Sequence, residues 1–254
     1  MAIKEKIINW KFIKRFILFI LLVSFVIVFN YDKQTNKITN NFHLFMRNNG
    51  FALQDVILYG RHNTEKQNIL KKTKFKYGQS IFRINLEDIK KDIEAIGWVK
   101  SVTIERFLPN RINIKITERK PIAIWQYNKK LNLIDKDGIV ISNKNIHKFS
   151  YLKTVVGENA NLKAIDFLKL ITADKTMSQI VVAGVYISNR RWNLIILDKI
   201  TVKLPYNEPK EAWQALGRYA RKNNLLARPI SVIDMRVPKK IFIKIHKNKK
   251  KYRD

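Results

Sequence analysis

Three carboxylates, Glu105, Glu118 and Asp135, are the residues of this 254-residue chain with the best claim to acid and base chemistry. A glycoside hydrolase acting on cell-wall glycan needs two such groups across the scissile bond, one protonated and one ionised. Each of the three falls on an alternating segment or a turn, where solvated or ion-paired carboxylates are ordinary. Asp135-Lys136-Asp137-Gly138 matches the first positions of a calcium loop but lacks the later ligands and the closing Glu, so it reads as a hairpin turn. His43, His62, His147 and His246 stand far apart, with no acid or second His at ligand spacing, and are expected on the surface. The chain has no cysteine, which removes thiolate nucleophiles, disulfides and Cys-based metal sites together. It also has no phosphate-cradling glycine loop or nucleophile elbow. The residues therefore predict no catalytic, cofactor or metal site.

The formal net charge of +30 invites a nucleic-acid reading. The basic residues, however, are spread along the whole chain, mostly Lys among Ile and Asn, with no cluster beside aromatics at a recognisable motif. Background composition accounts for this pattern, and no nucleic acid is expected as a partner; an acidic partner or an anionic lipid surface stays as a second reading of the charge.

The strongest local signal is Phe16 to Phe29, FILFILLVSFVIVF, in which only Ser24 is polar. At about 1.5 Å per residue these positions span roughly 21 Å, and extension from Phe12 to Tyr31 reaches the ~30 Å of a hydrocarbon core. Lys14 and Arg15 would then snorkel to one interface and Tyr31 sit at the other. A core helix is seldom apolar on every face. A cleaved signal peptide would need a small-residue cleavage box, and Asn30-Tyr31-Asp32-Lys33-Gln34 is not one. Lys4, Lys6, Lys11, Lys14 and Arg15 against the single Glu5 keep the short tail cytoplasmic. The expected layout is a tail over 1–15, a transmembrane helix over 16–31 and a polar linker over 32–49, with everything beyond on the far side.

A first module is predicted over 50–119. Phe51 to Gly60 reads as a strand and Thr64 to Phe75 as a short helix with Thr64 as N-cap. A second helix is capped by Asn85, carries Leu86, Ile89, Ile93 and Ile96 at helical spacing, and ends at Gly97 as a C-terminal glycine. Val99 to Phe107 and Arg111 to Glu118 alternate with period two and form a hairpin. The order is β-α-α-β-β, with an edge strand free to pair with another chain. From 120 to 246 short strands dominate: Ile122 to Tyr127, Leu131 to Ile134, Ile139 to Ile141, Ile180 to Ile187, Trp192 to Leu197, Ile230 to Met235 and Ile241 to Ile245. Helices are expected over Asn161 to Ile171 and Pro209 to Asn223. The fold class is α+β, ending in a mainly β domain with one or two helices and a basic tail over 247–254.

Several segments, taken in order, resemble one family. They are Gly97-Trp98-Val99, Val102-Thr-Ile-Glu-Arg-Phe-Leu-Pro-Asn110, Ile116-Thr-Glu-Arg-Lys-Pro-Ile-Ala-Ile-Trp125, Leu133-Ile-Asp-Lys-Asp-Gly138, Arg191-Trp-Asn-Leu194, Leu204-Pro205 and Ile233-Asp-Met-Arg236. Behind a short tail and a single span, this series is similar to the bacterial cell-division family FtsQ, or DivIB, over about residues 10 to 245. The resemblance implies a POTRA domain followed by a β domain, in a single-pass inner-membrane protein at the septum with its domains in the periplasm. It implies a non-catalytic scaffold that joins the bitopic proteins FtsB and FtsL, meets other division proteins through the POTRA domain, and influences septal peptidoglycan synthesis. Family members often carry Asn-Gly after Trp-x-Leu-x-Leu, where this chain has Asp198-Lys199.

In the family, FtsB adds to the last strands beside an Asp-Leu-Arg motif, matched here by Asp234-Met235-Arg236. Arg236 and Val237 are thus contact candidates, with Phe242 and Lys244 on the edge strand. An edge strand offers unpaired backbone groups to an extended partner. Ile241, Ile243 and Ile245 alternate onto the opposite face and are expected to fill the core. Another POTRA-bearing protein, of outer-membrane assembly or secretion, would show repeated POTRA units or a long alternating barrel region. An envelope glycan enzyme is the other alternative.

Overall fold

The computed structural model describes residues 18, 20–22, 24–25, 35, 37–197 and 199–245. The predicted tails over 1–15 and 247–254, His246, and most of the predicted span over 16–31 lie outside the described residues. Among those described, no helix is long and apolar enough to cross a membrane. The structure divides into two compact units: the described parts of Met1–Tyr59, Glu65–Ile93 and Val102–Lys115, and those of Gly60–Thr64, Glu94–Ser101 and Ile116–Asp254.

The first sheet has three strands in the order β1-β3-β2, formed by β1 (Asp55–Tyr59), β2 (Val99–Phe107) and β3 (Arg111–Glu118). Between β1 and β2 the chain forms helices α1 (Lys66–Thr73) and α2 (Leu86–Glu94), which gives the predicted β-α-α-β-β order. Strand β1 runs parallel to β3, from Asp55 opposite Arg111 to Tyr59 opposite Lys115. Along β3 the period-two pattern buries Ile112, Ile114 and Ile116. Ile69 on α1 and Ile89 and Ile93 on α2 are buried from the helical side. Asn85 caps α2 as predicted, its side-chain oxygen accepting from the backbone N–H of Glu87 and Asp88.

Two local expectations fail. The N-cap of α1 is Glu65, without a side-chain bond. Thr64 is buried, and its backbone N–H goes to Glu118 at 2.7 Å. Gly97 is not a left-handed cap, because α2 ends three residues earlier, at Glu94. Its role is close approach: a Cβ there would clash with the Ile141 carbonyl oxygen.

The second sheet has nine strands in the order β12-β11-β10-β9-β8-β7-β4-β5-β6. In chain order these are β4 (Ala123–Tyr127), β5 (Lys130–Ile134), β6 (Val140–Ser142), β7 (Thr154–Val156), β8 (Val181–Ile187), β9 (Arg191–Ile196), β10 (Ile200–Lys203), β11 (Ile230–Asp234) and β12 (Phe242–Ile245). Strands β7 and β10 were not foreseen. Three helices rather than one or two accompany the sheet: α3 (Ala164–Ile171), α4 (Lys175–Ile180) and α5 (Pro209–Asn223). The unforeseen α4 has only six residues, too few for a periodic signal, and starts where the Asp174 carboxylate accepts the Met177 N–H. The core between helices and sheet includes Phe167, Trp192, Leu194, Trp213, Leu216 and Ile233, and the Trp213 indole donates to the Ile171 carbonyl at 3.0 Å. The turn after β9 closes through the Lys199 N–H on the Ile196 carbonyl, while Asp198 lies outside the described residues.

Candidate functional site

Two of the three carboxylates with a claim to catalysis, Glu118 and Asp135, are bound into the scaffold instead. Glu118 accepts the backbone N–H groups of His62, Asn63 and Thr64 at 2.7 to 3.0 Å. Burial alone would push its carboxyl up, but the hydrogen bonds donated from the His62–Thr64 turn outweigh it and hold the pKa at about 2. Asp135 is buried and receives Arg119 at 2.7 Å together with the N–H groups of Asp137 and Ile139. Burial raises its pKa, and the Arg119 bond and the turn donors bring it below the usual range. Glu105 is exposed. A general acid needs a raised pKa, so neither Glu118 nor Asp135 is set to deliver a proton. His62 and His147 are exposed, whereas His43 is half-buried, contrary to the surface expectation. Among the described residues no group of three His, Asp or Glu is placed to hold a metal ion.

The Glu118 clamp carries a pH signature. A depressed carboxylate stabilises the fold fully above its unfolded pKa of about 4.5 and loses that contribution as pH falls towards 2. Stability of the unit that holds Glu118 should therefore drop between about pH 5 and pH 2. The Glu118→Gln variant should be less stable at neutral pH by about 2 kcal/mol, with a flatter acid limb. Urea titrations at several pH values read this directly, and equal slopes in both proteins would refute the assignment.

The predicted contact residues lie together at one end of the nine-stranded sheet. Among the described residues strand β12 pairs with β11 alone, antiparallel, with Asp234 opposite Phe242 and Val232 opposite Lys244. All four β12 residues are exposed, Phe242 at 53%. Phe242 and Lys244 share one face of the strand by alternation. The isoleucines depart from expectation: Ile241 packs partly against the core, but Ile243 and Ile245 are 38% and 55% exposed. An edge strand has no further layer to cover its apolar side, so alternation there does not imply burial.

Arg236 follows β11 and grips Asp234, Nε to Oδ1 at 2.9 Å and Nη2 to Oδ2 at 2.6 Å. That contact holds the Asp234 carboxyl below the usual range, against the opposing effect of burial. Val237 is exposed and lines a cavity of about 420 Å³ with Ala212, Ala215, Arg218, Met235 and Ile241. Sequence reasoning missed this cavity and the Asp234 partner. Only the two-residue spacing of Asp234 and Arg236 hinted at the pair. Ser231 on β11 also fastens β12, its hydroxyl donating to the Lys244 carbonyl at 3.0 Å. The arrangement offers an open strand edge, flanked by an aromatic ring and cations, that an extended segment of another chain can extend.

Comparison with known proteins gives a consistent picture. Residues 51–119 match the family described as POTRA domain, FtsQ-type, and residues 123–236 match the family described as Cell division protein FtsQ/DivIB, C-terminal. The chain is similar to the cell division protein FtsQ of Rickettsia felis, 34% identical over 228 residues that cover 88% of this chain and 85% of that one. It is similar to FtsQ of Rickettsia bellii at 37% identity over 194 residues, 76% and 72% of the two chains. FtsQ of Zymomonas mobilis is 30% identical over 228 residues, 89% and 72% of the two chains.

Proposed function

Because the chain belongs to the FtsQ/DivIB family of cell division proteins, we propose that it is a non-catalytic scaffold of the divisome. Residues 16–31 anchor it in the inner membrane with its N-terminus in the cytoplasm. A POTRA domain over 50–119 and a β domain over 120–246 then stand in the periplasm at the septum. The scaffold binds bitopic partners of the FtsB and FtsL kind and links them to septal peptidoglycan synthesis, and other division proteins meet it through the POTRA domain. No cofactor or small-molecule substrate enters this role.

The observation that carries the reading is the exposed edge strand β12, with Phe242 and Lys244 on one face and Arg236 beside it. A partner segment adding to that edge gains backbone hydrogen bonds, and the side chains select its register. The test is to solubilise tagged full-length protein from its native membrane in mild detergent and identify what co-purifies, beside an Arg236→Glu variant. The substitution reverses the charge offered to a partner, and because it also removes the grip on Asp234, urea unfolding of the purified variant checks that the fold stays in place. Bitopic division proteins should accompany the wild type, and their recovery should fall about tenfold with the variant, roughly 1.4 kcal/mol. Unchanged recovery would remove Arg236 from the interface. Recovery of outer-membrane assembly factors instead would overturn the role.

A further inference from the structure

Residues 37–48 are helical and enter the first unit at Gly50, whose φ of +89° lets the Phe51 N–H reach the Met46 carbonyl at 3.0 Å. Phe82 fixes the junction, its ring 6.4 Å from Phe42 and 5.6 Å from Phe51. Beside these rings a cavity of about 430 Å³ opens, lined by Asn40, His43, Arg47, Gln79, Ser80 and Arg83, with Leu44 at its wall and no carboxylate. Ser80 is 3% exposed, and its hydroxyl has no hydrogen-bond partner among the described residues. Nδ1 of His43 is likewise buried and unpartnered. Neither Arg47 nor Arg83 forms an ion pair with a carboxylate among the described residues.

Buried hydroxyl and imidazole groups are nearly always satisfied in folded proteins, and both orphans belong to residues that line this one cavity, which points to a ligand there that completes them. The lining offers two guanidinium groups, a hydroxyl, two carboxamides and an imidazole. Donors from two stretches of the chain, residues 40–47 and 79–83, with two permanent positive charges and no anion in the lining, suit a tetrahedral oxyanion. We propose that this cavity binds a phosphate group, supplied by the headgroup of an anionic phospholipid or by a soluble phosphate. The phosphate chemistry stands on the cavity alone. The lipid source rests on the reading that residues 16–31 cross the membrane, which would hold the helical stretch near the headgroups.

Full-length protein is placed in nanodiscs of phosphatidylcholine, with and without phosphatidylglycerol; entry into the discs tests the anchor separately. Inorganic phosphate is titrated by calorimetry in the neutral discs, or on detergent-solubilised protein if the chain does not enter them. Native mass spectrometry counts phosphatidylglycerol retained from the mixed discs. The variants are Ser80→Ala, Arg47→Gln with Arg83→Gln, and a charge-matched control, Lys90→Gln with Lys91→Gln on α2. Binding of at least one probe should weaken about tenfold in the Ser80 and double-arginine variants and stay unchanged in the control. Phosphate binding with no lipid enrichment assigns a soluble ligand, and arginine-dependent lipid retention assigns the headgroup. Absence of both in the wild type, or equal loss in the lysine control, overturns the proposal, since the general positive charge would then be the whole effect. Loss of thermal stability in Ser80→Ala also counts against it, because removing an unsatisfied hydroxyl should not destabilise the unliganded chain.

Discussion

Cutting the chain after Ile241 is expected to abolish co-purification of the proposed division partners, a fall of at least about 100-fold, or ~2.7 kcal/mol. Cutting after Ile245 should leave capture intact. The two truncations differ by β12 alone, four exposed residues that among the described residues pair with β11 alone and contribute no fully buried side chain. A partner that binds by strand addition loses its backbone template along with Phe242 and Lys244, and a few such contacts usually carry most of an interface's energy. The shorter chain should keep a cooperative unfolding transition, because Trp213, Phe167 and the central strands are untouched. A full-length Phe242→Ala, Lys244→Ala variant separates the two contributions, since it keeps the backbone template and should retain part of the capture. Wild-type recovery by the chain ending at Ile241 would place the partner surface elsewhere.

Replacing Trp213 by Ala should destabilise the second unit by about 3–5 kcal/mol, a large share of the stability of any domain of this size. Trp213 is fully buried on α5, and its indole supplies a hydrogen bond to the Ile171 carbonyl near the end of α3. The substitution opens a cavity between the two helices and the sheet and leaves a buried carbonyl unpaired, and both effects act in the same direction. Trp213→Phe should cost distinctly less, because most of the volume stays. Helix α5 lies in sequence between β10 and β11, which pair parallel, so loosening it should also weaken the support of β12 and lower partner capture. Urea unfolding of the wild type and both variants measures the effect. A loss under about 1 kcal/mol for Trp213→Ala would mean that the core collapses around the missing ring.

The division of labour between sequence and fold is visible in particular elements. Strands β2 and β3 run from Val99 to Phe107 and from Arg111 to Glu118, and α5 runs from Pro209 to Asn223, all at the bounds expected from periodicity and terminal signals. Each is at least eight residues long, enough for a period to repeat. Strand β7 has three residues and α4 has six, and segments so short carry no period. Strand β10 did have a readable alternation, since Ile200, Val202 and Leu204 are all buried, but it is brief and sits against a Pro.

By itself the sequence determined the β-α-α-β-β order of the first module, the mainly β character of the second and the family to which both belong, because these follow from local periodicity and short ordered motifs. Tertiary structure alone decided which strand is an edge. It placed β12 outermost, left Ile243 and Ile245 exposed, set Arg236 against Asp234, buried Asp135 against Arg119 and brought His43 to the same cavity as Ser80. The physical reason is that alternation states only that a strand has two unlike faces. Which face is covered, and which edge stays open, depends on hydrogen bonds and packing between residues far apart in the chain.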